Sequence, residues 1–282
     1  MDWTLRYAPH LGYRPPFTPL FAATVGSDDP VAHVAFAASQ GFAGVLYAAA
    51  RGRSPEEQER VGQAIAAHGL EAGCLLYTTF DKLRHTAWGT LAEDARTWIT
   101  HEIAEAIAVA KRIGARRIAV LGGADPAMPL EAQRAAMVEH LKHAGDRVAR
   151  EGMVLCLETL SRKSIPDMLL QHIADAHAVV RAVDHPAVRL IFDTSHVQIM
   201  DGDLLYHLEQ AWDAVEIVQL ADNPGRYEPG SGEINFANVL RLLRRKGYAG
   251  LVELEYGWQA PGPDSERRGL ALLRALDAAA AA

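Results

Sequence analysis

Short apolar runs and amphipathic stretches alternate along the whole chain. A short apolar run bounded by turn residues reads as a buried strand, and apolar residues three and four apart read as a helix face. Strands are expected at 4–9, 44–47, 72–77, 117–121, 153–158, 188–193, 215–220 and 251–256. Helices are expected at 29–39, 54–68, 95–114, 129–151, 173–183, 204–212, 235–246 and 265–280. Local signals support several boundaries. Asp28 or Asp29 caps the first helix, with Pro30 in its first turn. Ser54 and Glu57 form a capping-box pattern, and Gly247 stops the helix before it. Ile99, Ile103, Ile107, Ala110 and Ile113 make one helical stripe. The alanine-rich end, 277–282, reads as a fraying helix.

Strands that alternate with helices imply a parallel sheet, and eight such units imply closure. The expected fold is therefore α/β, a (β/α)8 TIM barrel. No linker or composition shift divides the chain, so residues 1–282 read as a single domain. The connection over 78–93 is long for this fold and reads as a lid over the barrel mouth.

Composition narrows the classes. Hydrophobic residues make up 49% of the 282 and charged residues 22%, as in a soluble protein with a large core. A net charge of −7 argues against nucleic-acid or membrane-surface partners. No apolar run could span a bilayer, and the N-terminus lacks a signal-peptide pattern. Cys74 and Cys156 sit in apolar runs and read as free thiols in a reducing, cytoplasmic setting.

In a barrel, chemistry gathers at the C-terminal ends of strands. Glu158, Asp193, Gln219 and Glu255 fall there, each one repeat from the next. Two Glu, one Asp and a Gln carbonyl make an all-oxygen set. Such a set suits Mg2+ or Mn2+ better than Zn2+. Clustered carboxylates repel unless a cation neutralises them, which is a further argument for a metal. The two Glu also suit paired acid–base work. The plainer reading of Asp193 is a helix N-cap. Glu253 shares the inward face with Glu255 one layer deeper, and a buried Arg or Lys is expected as its partner. His10 ends the first strand and is a candidate substrate contact. Tyr77, Trp88 and Trp258 read equally as pocket walls or as core. Lys82, Arg84 and His85 read as a solvated loop.

The stretches FDTSHVQIMDGDL, QLADNPGRYEPGSGEINF and GYAGLVELEY resemble the hydroxypyruvate isomerase branch of the xylose-isomerase-like TIM barrels. The resemblance is specific over 154–258. It implies a divalent metal and an isomerase or epimerase reaction on a small sugar or sugar acid. By motif, Glu158 and Glu255 correspond to catalytic, metal-binding glutamates, Asp193 and Gln219 to the other metal positions, and His196 and Arg226 to substrate contacts. The chain departs from the family pattern at Leu46, in TLSRKSIP after Glu158, and in the connection after the third strand.

The expectation is a metal-dependent aldose–ketose isomerase that works through an enediolate. A C3-epimerase or a 3-dehydroshikimate-type dehydratase would use the same parts. A non-catalytic sugar-acid-binding barrel is the rival from another class. A DNA-repair endonuclease would need more His ligands and a basic surface. The expected partner is a small sugar or sugar acid, with self-association into a homo-oligomer left open.

Overall fold

The computed structural model describes residues 3–281. The last position of the alanine-rich end, 282, lies outside them. The strands are β1 (Arg6–Pro9), β2 (Gly44–Val45), β3 (Glu71–Ala72), β4 (Leu75–Leu76), β5 (Arg117–Val120), β6 (Val154–Glu158), β7 (Val188–Asp193), β8 (Val215–Leu220) and β9 (Leu251–Leu254). The helices are α1 (Ala22–Val25), α2 (Pro30–Ser39), α3 (Pro55–Ala67), α4 (Glu93–Ile113), α5 (Leu130–Ala149), α6 (Ile173–Val183), α7 (Thr194–Met200), α8 (Leu204–Gln210), α9 (Phe236–Arg245) and α10 (Pro263–Ala281).

All ladders are parallel. One runs β1-β9-β8-β7-β6-β5-β4, and β2 pairs with β3. The two ladders close on each other. Leu46 N–H donates to Pro9 O at 2.9 Å and Ala43 N–H to Tyr7 O at 3.0 Å, which ties β2 to β1. β3 and β4 are halves of the strand expected at 72–77, interrupted at Gly73 and Cys74. The interruption has a cause across the barrel. Cys74 N–H turns inward and donates to Glu253 Oε1 at 2.7 Å. A Cβ on Gly73 would stand 2.6 Å from that same oxygen, so only glycine fits.

Local chemistry explains several helix ends. Asp29 accepts from Val31 N–H and Ser54 from Glu57 N–H. The reciprocal half of the expected capping box is absent: Glu57 accepts from Tyr47 O–H instead. α4 buries Ile99, Ile103, Ile107, Ala110 and Ile113 and ends at Gly114 in the left-handed region. Each buried Ile contributes about 1.5–3 kcal/mol. Inside the barrel, Leu46, Ala119, Cys156, Ile191 and Ile217 pack together, and Cys74 and Cys156 are both free and buried.

Two segments have anchors that the sequence did not show. The 78–93 connection, expected as a lid, is tied down at Trp88 and Thr90. Trp88 is fully buried between Tyr77 and His140, and His140 Nε2 bonds Thr90 O at 2.7 Å. The alanine-rich end is helical, as expected, through Ala281, and Asp277 at its start is buried. Its carboxylate accepts from Thr4 N–H, Leu5 N–H and Tyr7 O–H, clasping α10 to the start of β1. No helix among the described residues is long and apolar enough to cross a membrane.

Candidate active site

The site is built where β6 to β9 end. Glu158 is the last residue of β6 and Asp193 the last of β7; Asp193 pairs in register with Gln219 on β8. Glu255 follows β9 and donates its N–H to Leu220 O. After Asp193 the chain turns at once into α7, which the apolar pattern did not reveal. Thr194 Oγ1 bonds Ala221 O and Ser195 Oγ bonds Asn223 Oδ1, so the TSH and ADN segments are stitched together.

The turn-rich stretch after β8 is organised by Asp222, which sequence reading passed over. Its buried carboxylate accepts from Asn223, Gly230, Gly232 and Ile234 N–H groups at 2.8–3.0 Å. A Cβ on Gly232 would lie 1.9 Å from Asn223 O, so the loop closes only with glycine there. The available signal was an Asp directly before Asn-Pro-Gly, an Asx-turn residue.

This loop aims Arg226. The residue takes φ of 59°, a left-handed conformation that costs roughly 1–2 kcal/mol. Its ion pairs offset that. Nη1 and Nη2 donate to both oxygens of Asp193 at 3.1 and 2.8 Å, and Nη2 also to Glu255 Oε2 at 2.9 Å. Three of five guanidinium N–H groups are thus engaged by carboxylates, and the planar fork matches Asp193 bidentately. The guanidinium carbon also lies 5.5 Å from the Tyr13 ring centre.

Asp193 has two duties. Oδ1 also accepts from His196 N–H at 2.9 Å, so it caps α7 as well as holding Arg226. Burial alone would raise its pKa, but the Arg226 charge and hydrogen bonds outweigh burial and hold it below the usual carboxylate range. Glu158 differs. Among the described residues its carboxylate accepts no hydrogen bond, and His196 Nε2 stands 3.8 Å away. Burial, then the charges of Glu255 and Asp193, pushes Glu158 well above the ordinary value. Burial also pushes Glu255 up to about 8, with Arg226 pulling against it. His196 accepts from Ser161 N–H at Nδ1, and burial lowers its pKa to about 4, so the ring is neutral.

Gln219 lies beneath this layer. Nε2 donates to Glu253 Oε2 at 2.9 Å, and Oε1 is buried with no hydrogen-bond partner. Glu253 therefore lacks the Arg or Lys expected for it: Gln219, Cys74 N–H and the Cys74 thiol supply its hydrogen bonds. Burial pushes its pKa up and those bonds pull it back.

These donors fit a divalent cation. Ligand atoms of Glu158, Asp193 and His196 lie within 4.8 Å of one another. The unpartnered Gln219 Oε1 is a buried acceptor of the kind a cation satisfies. An imidazole in the cluster adds a nitrogen to the all-oxygen set expected, which weakens the argument against Zn2+ relative to Mg2+ and Mn2+.

A cavity of about 130 Å³ opens above, lined by Glu158, His196, Arg226 and Glu255 among others. His10 is not among them. Its Nε2 bonds Tyr256 O at 2.9 Å and its Nδ1 accepts from Gly12 N–H at 3.1 Å, so no ring nitrogen remains to contact a substrate. Tyr77 and Trp88 are core residues, and Trp258 lines a separate groove. Lys82, Arg84 and His85 stay on the surface side, paired with Glu102, paired with Asp167 and stacked on Trp98 respectively.

The family model described as a xylose isomerase-like TIM barrel matches residues 34–276. The chain belongs to that family. Among its relatives, the hydroxypyruvate isomerase of Escherichia coli is 32% identical over 155 residues, 55% of this chain and 60% of that protein. The chain thus matches under two thirds of the bacterial relative's length. A human protein provisionally assigned as a hydroxypyruvate isomerase is 33% identical over 236 residues, 80% of this chain and 83% of the human one. A solved structure titled as a family 2 AP endonuclease from Brucella melitensis superimposes with a TM-score of 0.81 at 24% identity, covering 96% of this chain and all of the other. That likeness shows the shared barrel. The closed sheet of this family member, with its strand-end carboxylates, is the fold expected from the sequence.

Proposed function

We propose that this chain is a metal-dependent aldose–ketose isomerase acting on a small hydroxy-carbonyl acid, in the manner of a hydroxypyruvate isomerase. The observation that carries the reading is the unequal pair of glutamates on one cavity. Glu255 is held by Arg226, whereas Glu158 accepts no hydrogen bond among the described residues and has only His196 Nε2 3.8 Å away. The names of the relatives support it.

Glu158, Asp193, Gln219 and Glu255, with His196 beside them, would hold the cation. Once bound, it would polarise the substrate's carbonyl and neighbouring hydroxyl and lower the pKa of the α-carbon proton. Glu158 accepts no hydrogen bond among the described residues, and with a cation offsetting the burial and neighbouring charges that raise its pKa, its carboxylate would be the one placed to take that proton. Glu255, fixed by Arg226, returns a proton to the adjacent carbon. His196 Nδ1 faces the Ser161 N–H and hydroxyl, so Nε2 is the ring nitrogen turned toward Glu158, available either to the cation or to a substrate oxygen. The N–H groups of Arg226 not engaged by Asp193 and Glu255 are available to a substrate carboxylate.

The test is a panel of 2-keto acids and ketoses in D2O with added Mn2+. Deuterium should enter the product at the former carbonyl carbon, next to the newly formed carbonyl. Absence of exchange with every member of the panel would overturn the reading.

A further inference from the structure

The cavity over Glu158 and Glu255 has two chemically distinct halves, and strand order separates them. Its acid, base and cation groups come from the β6–β9 side. The other half comes from β4, β5 and the connections after β4 and β6. It presents Leu76, Phe80, Leu83, Leu121, Leu160 and Ile165. Leu76, Leu83, Leu121 and Leu160 are buried, and Phe80 and Ile165 are half-buried. The remaining polar lining is Tyr13, whose ring lies beside Arg226, the exposed Arg14, and Ser164, whose Oγ accepts from Ser161 Oγ at 3.1 Å.

A substrate head chelated and protonated by the polar half must extend its remaining carbons toward the apolar half. A hydroxyl lodged among those six side chains would exchange its water hydrogen bonds for apolar contact, whereas an alkyl group would gain from burial. We infer that the substrate is a 3-hydroxy-2-oxo acid whose carbon 3 carries a short alkyl group instead of a hydroxylated chain. The inference rests on the isomerase reading and names the substrate class for that same site. The step balances without an added oxidant or reductant. The C3–H bond breaks and its proton goes to a carboxylate, a new C2–H bond forms, the 3-hydroxyl loses its proton to become a carbonyl, and the 2-oxygen gains one.

Two substrates of matched shape test it: 3-hydroxy-2-oxopentanoate, ending in a methyl, and 3,4-dihydroxy-2-oxobutanoate, ending in a hydroxyl. Both are assayed in D2O with Mn2+ on the full chain. The alkyl substrate should have the higher kcat/KM, by roughly 10- to 100-fold, the range one hydroxyl is worth in an apolar pocket. Phe80→Asn and Ile165→Asn, both at half-buried loop positions, should shrink that ratio. Equal or reversed preference in the unmodified protein would overturn the inference. Deuterium uptake from either substrate sustains the isomerase reading whichever tail wins, so the two failures are distinguishable. No uptake from either overturns both.

Discussion

Gln219 and Glu253 sit opposite each other in the register of β8 and β9, and the Gln219 amide nitrogen donates to the Glu253 carboxylate at 2.9 Å. The Glu253 carboxyl, which also accepts from the Cys74 N–H and thiol, takes the NH2 end of the amide and leaves Oε1 buried without a hydrogen-bond partner. Glu253→Gln removes that constraint, because an amide pairs with either end of another. Mn2+ affinity, measured by calorimetric titration, should fall about 10- to 100-fold, the range for partners that orient metal ligands. Unchanged affinity would show that Gln219 needs no such orientation.

Glu158→Gln and Glu255→Gln keep the side-chain shape and remove the proton carrier. Each should lower kcat by roughly 10²-fold or more. Circular dichroism melting should show both variants folded, since neither residue belongs to the apolar core. Near-normal turnover in either variant would remove that glutamate from the proton path.

Arg226 supports the fold of the site as well as its chemistry. Removing it leaves Asp193 fully buried without its cation. Breaking such a pair costs about 3–5 kcal/mol. Arg226→Ala should lower the urea midpoint accordingly. Arg226→Lys should recover only part of the loss, because one ammonium cannot match the fork that spans Asp193 and Glu255. A midpoint unchanged in Arg226→Ala would mean that the loop, not the ion pair, holds the site.

Glu255 gives a pH signature in metal-free protein. Its folded pKa, near 8, is raised above the unfolded value of about 4.3. Between these values the folded state binds the extra proton, so its contribution to stability is full below about pH 4.3 and lost as pH rises toward 8. His10, lowered to about 3 by burial, runs the other way and costs stability only as pH falls below about 6.5. The difference in stability between the unmodified protein and Glu255→Gln isolates the first effect. It should decline steadily from about pH 5 to pH 8. A flat difference would place the Glu255 pKa near its ordinary value.

The chain's own pattern determined the barrel and the position of its chemistry. Strand and helix periods are local, and in a parallel barrel every strand end faces the same mouth. Glu158, Asp193, Gln219 and Glu255 could therefore be located by counting repeats. What the tertiary structure decided is who meets whom. Glu253 reaches the broken strand at Gly73 and Cys74 only because the sheet closes, with β1 and β2 between them along the wall. Arg226 finds Asp193 because Asp222 folds the loop back. His10 loses both ring nitrogens to backbone groups, one of them on Tyr256 at the far end of the chain. The raised carboxyl and lowered imidazole pKa values follow from burial, first cause in each case. Residue spacing carries periodicity, but partner choice and desolvation depend on distances through space, which exist only once the barrel has closed.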